Sequence, residues 1–253
     1  MQYTHKKQLG QHFLHDEEIC QRIVATLNNE NKPLLEIGPG AGAITKYLIN
    51  QNFSSYKCVE LDKEKVDYLL LKYPTLKDKI IHDDFLKTPL PFDSEFNVIG
   101  NFPYNISSQI LFKILDWNNQ VPLVVGMFQK EVAERVASKH GKKAYGILSV
   151  LIQCYYDVEY LFDVAPESFT PPPKVMSGVI KLKRKETPLI SHQEQKFKQF
   201  IKNAFNQRRK TLRNGLKPFY KIEFLNDEIF NKRAEQLSIY ELISLFEKLN
   251  PIN

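Results

Sequence analysis

The tightest constraint in this sequence is an apolar run that ends in three spaced glycines and passes into an amphipathic stretch. Leu34-Leu35-Glu36-Ile37 leads into Gly38-Pro39-Gly40-Ala41-Gly42, and residues 43–50 then read as a helix. Glycine lets a chain turn sharply and lets a ligand approach the main chain with no Cβ in the way. The alternation recurs. Tyr56-Lys57-Cys58-Val59-Glu60 precedes residues 63–72, where Val66, Leu69 and Leu70 repeat at helical spacing. Residues 79–81, 96–99 and 123–129 read as further strands. Residues 158–164 and 177–183 follow, close enough to pair antiparallel at one sheet edge. Strands alternating with helices predict an α/β fold with a Rossmann-like, doubly wound sheet.

Beyond Lys183 the β-rich alternation stops. Residues 185–253 read as helices separated by Pro218 and by Asn226-Asp227, a small C-terminal all-α domain. The predicted boundary lies at Glu186-Thr187-Pro188, giving domains 1–186 and 187–253. Charge supports this division. The chain carries +6 overall, yet residues 1–184 hold 22 basic and 21 acidic side chains, and residues 185–253 hold 13 and 8. Lys202, Arg208, Arg209, Lys210, Arg213 and Lys217 lie in one segment without an acid, which points to a polyanionic partner. Upstream, Phe197, Phe200, Ile201, Ala204 and Phe205 line one helical face. Continuing that helix would put Arg208 on the apolar arc, so a break is expected near Asn206, with residues 210–216 as a second helix. Lys6, Lys7, Lys139, Lys142 and Lys143 could add to the basic surface. Cys20, Cys58 and Cys154 have neither metal-ligand nor disulfide spacing, so free buried thiols and no metal are expected. No secretory signal or membrane span is read, and a cytoplasmic protein is expected.

Acidic residues follow the strand ends. In the glycine turn a dinucleotide fingerprint would need a glycine where Ala43 stands, and a phosphate fits poorly beside Glu36, whereas a cationic ligand fits. Glu60, 22 residues after Gly38, can accept both hydroxyls of a ribose. Asp84 can accept from the exocyclic amine of an adenine, with Asp83 as a solvated neighbour. The fourth strand end carries Asn101-Phe102-Pro103-Tyr104. There the Asn101 carboxamide oxygen and the Pro103 carbonyl can accept the two N–H groups of an amine, and the Tyr104 ring can stack on a flat heterocycle.

At these residues the sequence resembles S-adenosylmethionine-dependent N6-adenine methyltransferases, most closely the small-subunit ribosomal RNA adenine dimethyltransferase family. The resemblance spans almost the whole chain. It runs through Gly10-Gln11-His12-Phe13-Leu14, the 36–42 turn, residues 100–105, Gln129-Lys130-Glu131-Val132 and Lys143-Ala144-Tyr145-Gly146. It continues in Phe169-Thr170-Pro171-Pro172-Pro173-Lys174-Val175 and ends in residues 204–214. Two positions depart from the family pattern: His12 stands where many relatives carry Asn, and Phe102 replaces an aliphatic residue. The resemblance implies that His12 and Leu14 line the cofactor and Gly38 approaches it. It implies that Glu60 holds the ribose, Asp84 the adenine, and Asn101 both the methionine part and the target amine. Tyr104 and Phe169 would sandwich the flipped base.

The expected reaction dimethylates N6 of two adjacent adenines in the terminal hairpin loop of 16S ribosomal RNA. The expected partner is small-subunit ribosomal RNA within a pre-assembled 30S particle, met by a monomer. A large-subunit (23S) adenine N6-methyltransferase conferring antibiotic resistance shares the glycine turn and the Asn-x-Pro-Tyr head, but residues 169–175 and 206–214 favour the small-subunit enzyme. A non-catalytic ribosome-assembly factor is disfavoured by Glu60, Asp84, Asn101 and Tyr104. A nicotinamide oxidoreductase is disfavoured by Ala43.

Overall fold

The computed structural model describes residues 12–27 and 31–250; Lys6, Lys7, Gly10 and Gln11 lie outside them. The chain divides into two compact units, residues 1–133 with 158–184, and residues 134–157 with 185–253.

The first unit is built on a seven-stranded sheet. Its strands are β2 (Leu34–Ile37), β3 (Tyr56–Glu60), β4 (Ile80–His82), β5 (Asn97–Asn101), β6 (Leu123–Gln129), β7 (Tyr156–Val164) and β9 (Ser177–Arg184). They are arranged β4-β3-β2-β5-β6-β9-β7. Strands β4 to β6 are parallel, and β9 runs antiparallel to β6 from Leu123↔Lys183 to Gln129↔Ser177. The central strands β2, β5 and β6 are buried over almost their whole length, as near-continuous apolar runs require when both faces are covered. The chain builds outward from β2 through β3 to β4, then returns to β5 on the other side of β2. This reversal opens a crevice at the carboxyl ends of β2 and β5, the place where doubly wound sheets take ligands.

Helices α1 (Glu17–Ala25), α2 (Thr45–Leu48), α3 (Lys63–Lys72) and α4 (Ser107–Asp116) follow the early strands. Asp16 starts α1 by accepting from the Ile19 amide at 3.2 Å, and its other oxygen accepts from the Ser168 hydroxyl at 3.0 Å. Asp62 caps α3 through the Glu64 amide at 3.1 Å. Helix α2 is shorter than the predicted 43–50, because the chain is still turning at Gly40 and Gly42, both at positive φ, and in the residues just after them. A two-residue strand pair not read from the sequence, β1 (Phe13–Leu14) with β8 (Phe169–Thr170), sets Leu14 opposite Phe169. It is too short for any alternation pattern to reveal.

The second unit is helical. It holds α6 (Ile147–Tyr155), α7 (Glu194–Asn206), α8 (Leu212–Leu216) and α9 (Ile239–Leu249), and α5 (Lys130–Ala137) runs into it. Helix α7 ends at Asn206 and α8 begins at Leu212, which keeps Arg208 off the apolar face. Phe197 and Phe200 pack on Phe246 of α9 with ring centroids 5.2 and 5.7 Å apart, and Phe205 meets Tyr145 at 5.9 Å. The late boundary falls at Arg184/Lys185, two residues before the one read from sequence. The unit also takes in residues 134–157, which the sequence reading placed in the first domain. The physical reason is α6: most of its residues are buried, and Cys154 and Tyr155 carbonyls accept from the amides of Leu189 and Lys185.

Candidate active site

The 38–42 turn holds all three of its glycines at positive φ, +67°, +56° and +82°. An L side chain is strained there, so the turn is legible only as glycine. At Gly40 a Cβ would also sit 3.2 Å from the Phe13 ring. The Gly38 amide donates to the Val59 carbonyl at 2.9 Å, tying the turn to the end of β3. Beside it lies a cavity of about 220 Å³ at the carboxyl ends of β2, β3 and β5. His12, Leu14, Gly38, Glu60, Asp84, Asn101, Pro103 and Tyr104 all line it. Its walls carry four carboxylates, Glu36, Glu60, Asp83 and Asp84, and among the described lining residues there is no Lys or Arg. Such a surface favours a ligand that is cationic and rich in donors and disfavours phosphate.

Each carboxylate is held differently. Glu36, 2% exposed, accepts from Thr45 Oγ1 at 3.1 Å and from the Tyr56 hydroxyl. Burial raises its pKa to about 7 against those two hydrogen bonds. Glu60, 7% exposed, accepts from the amides of Gly40 at 3.0 Å and Asp62 at 2.9 Å, one on each oxygen. Burial raises its pKa too, opposed by those amide bonds. Each of its oxygens keeps a lone pair for a hydroxyl donor. Asp84 Oδ1 accepts from the Leu86 amide at 3.0 Å, and Lys87 lies 3.8 Å from Oδ2. Asp83, read from the sequence as a solvated neighbour, is half-buried and lines the cavity, where it accepts from the Asp84 amide at 2.7 Å.

The fourth strand end is ordered around its amide. Asn101, the last residue of β5, donates from Nδ2 to the His12 carbonyl at 3.2 Å. This orients the carboxamide and leaves Oδ1 as its acceptor. The Pro103 carbonyl takes the Ile106 amide at 3.2 Å and has a second lone pair. Tyr104 opens a short 3₁₀ turn, Tyr104–Ile106. Its hydroxyl meets Ser177 Oγ at 2.5 Å, and burial moves its pKa up. His12 donates from Nδ1 to the Pro171 carbonyl at 2.8 Å and stacks on Tyr104 with centroids 5.5 Å apart and planes at 29°.

Phe169 is not brought to the cavity. It is 2% exposed and turned with Leu14 into an apolar cluster that includes Val164 and Val179. Phe169 lies directly opposite Leu14 in the β1–β8 pair, and of the two only Leu14 also reaches the cavity wall. The sequence reading also missed Ser177, which carries no motif signal at the head of an apolar strand, and Phe85 and Ile106 on the cavity wall.

In the second unit Lys202, Arg209, Lys210 and Lys217 are exposed. Arg208 is committed in part, since its guanidinium donates to the carbonyls of Lys143 and, at 3.3 Å, Tyr145. Arg213 donates from Nε to the Leu225 carbonyl at 3.0 Å. Arg208 thereby fastens the exposed loop with Lys139, Lys142 and Lys143 beside the 208–210 segment. Counted by these units, the second holds 17 basic and 10 acidic residues, net +7, and the first 18 and 19, net −1.

Known proteins share this sequence and fold. The chain is 53% identical over 250 residues to a ribosomal RNA small subunit methyltransferase A of Cytophaga hutchinsonii, covering 97% of both chains. It is 52% identical to the protein of that name from Flavobacterium johnsoniae, covering 96% of this chain and 95% of the relative. A dimethyladenosine transferase structure from Plasmodium falciparum shares the fold with a TM-score of 0.77 at 24% identity, over 92% of this chain and 96% of that one. The model of the ribosomal RNA adenine dimethylase family matches residues 2–250, and the chain belongs to that family.

Proposed function

We propose that this protein is an S-adenosylmethionine-dependent methyltransferase that dimethylates N6 of two adjacent adenines in the terminal hairpin loop of 16S ribosomal RNA. The observation that carries the reading is the cavity at the sheet's switch point, walled by carboxylates and, among the described residues, by no Lys or Arg, and ending in the Asn101–Tyr104 head. A sulfonium ligand with an ammonium group and a ribose fits those walls in charge and in donors. S-Adenosylmethionine supplies an electrophilic methyl group on that sulfonium. The chain's own residues supply binding and aim. Gly38 leaves the main chain open to the ligand, Glu60 accepts from the ribose hydroxyls, and Asp84 accepts from the adenine amine. Leu14 and His12 cover the methionine side.

At the target base, Asn101 Oδ1 and the Pro103 carbonyl accept the two N–H groups of the adenine amine. This draws the nitrogen toward a pyramidal form with its lone pair aimed along the transfer line. N6 would take the methyl carbon as the carbon–sulfur bond breaks and its electron pair returns to sulfur, leaving a neutral thioether, and would then release a proton to water; that proton is acidic once nitrogen bears four substituents, so no strong base is required. The Tyr104 ring provides the stacking face. Phe169, buried on β8 opposite Leu14 of β1, supports Leu14 rather than touching the base. The second unit grips RNA phosphates through Lys202, Arg209, Lys210 and Lys217, joined by Lys139, Lys142 and Lys143. Arg208 and Arg213 add their remaining N–H groups. The substrate is a pre-assembled 30S particle met by a monomer in the cytoplasm; among the described residues no helix is long and apolar enough to cross a membrane.

The deciding experiment supplies labelled methyl groups with undermethylated small subunits and, separately, large subunits, and resolves the products. Dimethyladenine confined to small subunits is expected. Label in large subunits would replace this reading with the large-subunit one, and label in neither would leave RNA binding without catalysis.

A further inference from the structure

We propose that Ser177 is a positioning residue for methyl transfer, its hydroxyl tethering the free end of Tyr104 so that the ring is held in the plane on which the target base stacks. The inference rests on the stacking role given to Tyr104 above. Ser177 is the first residue of β9, paired with Gln129 at the end of β6, and the neighbouring Lys130 amide donates to the Met176 carbonyl at 2.9 Å. Its position is thus set by the ladder. It is 0% exposed, and Val179 and Ile180 follow it into the core. A hydroxyl there needs a partner, and the partner is Tyr104 Oη, 2.5 Å away.

The other end of Tyr104 is anchored as well. Its carbonyl accepts from Ser107 Oγ at 2.7 Å, and Pro103 precedes it at φ −54°. What remains free in a tyrosine so placed is rotation about its two side-chain torsions, and a bond at the phenol oxygen removes it. Stacking itself does not need a hydroxyl, since phenylalanine offers the same face. The Tyr–Ser pair therefore serves orientation. A tether that far along the chain, some 73 residues away, also links the reading head of β5 to the antiparallel strand β9.

The test is a double-mutant cycle on the intact protein with small subunits as substrate. Ser177→Ala and Tyr104→Phe are each expected to lower kcat about tenfold. The KM for RNA and the S-adenosylmethionine affinity, measured by calorimetry, should stay within about twofold. The double variant should be no slower than either single one. Ser177→Thr, which keeps the hydroxyl, should recover most of the rate. Wild-type kcat in Ser177→Ala, or additive losses in the double variant, would overturn the tether. So would losses of cofactor affinity and melting temperature in step with the rate, because they would mark a packing role. Should Ser177→Ala not fold, Tyr104→Phe alone decides, since it deletes only the phenol oxygen: an unchanged kcat overturns the proposal. A wild-type protein inactive on small subunits would fail the functional reading instead.

Discussion

Burial keeps the Glu36 proton in place up to about pH 7, well above its ordinary value of 4.5, and this has a consequence for stability. Below 4.5 both the folded and unfolded chains are protonated there. Between 4.5 and about 7 the unfolded chain ionises first, so the folded state loses stability as pH rises, by up to about 3 kcal/mol once both forms are charged. The melting temperature should fall from pH 5 to pH 8, and Glu36→Gln should flatten that part of the profile. A variant with the wild-type slope would show that another group is responsible. Asn101 makes a different prediction. Its amide is held by the His12 carbonyl with Oδ1 left to accept, so Asn101→Ala should lower methyl transfer about 10²–10³-fold. RNA affinity, measured by filter binding, should be retained. The acids and this amide were legible in the sequence because each sits at a strand end. Phe169 was not legible, because a side chain's face depends on a two-residue pairing that no periodicity reports.

Among the elements, β5 and β6 show how an unusual residue in the reading head is accommodated. Phe102 is 1% exposed and packs edge-on against Phe128 with centroids 4.9 Å apart. The room comes from glycines on both strands: a Cβ at Gly100 or Gly126 would lie 2.6 or 2.4 Å from that ring. Gly126→Ala should therefore cost about 1–3 kcal/mol in denaturant unfolding and slow transfer by shifting the 101–104 turn. Adding Phe102→Leu should recover part of both, since a Cβ at 126 would still meet the Phe128 ring at 2.7 Å. The alternation of strands and helices followed from the apolar runs, and α3 matches its predicted span of 63–72, whereas the order of the strands in the sheet was set only by folding. Ends were less legible. Strand β5 runs on to Asn101 because Asn101 pairs with Met127, a neighbour chosen only in the assembled sheet.

Across the whole chain, charge is sorted by unit, net −1 where the cavity lies and net +7 in the helical unit. Sequence position alone put +5 after residue 184; the folded unit collects Arg135, Lys139, Lys142 and Lys143 as well. RNA affinity should fall steeply and linearly with the logarithm of salt concentration. Replacing Lys210 or Lys217 by Gln should reduce that slope by about 1 each and leave the melting temperature and cofactor affinity unchanged. A flat salt response would remove the helical unit from RNA binding.

Local patterns of residues carry the α/β alternation, the glycine turn, the acids at successive strand ends, the Asn-x-Pro-Tyr head and the break after Asn206. These are local: each follows from periodicity, from a backbone angle only glycine tolerates, or from the residue that happens to end a strand. Packing of the folded chain was needed to turn Phe169 inward, to bring Ser177 to Tyr104, to tie the 139–145 loop down with Arg208, and to join residues 134–157 to the helical unit. Those contacts pair residues from 30 positions apart, Lys185 with Tyr155, to 155, Leu14 with Phe169, in a chain whose spacing carries no record of them. They are set by which faces must be buried together and which polar groups must then find partners.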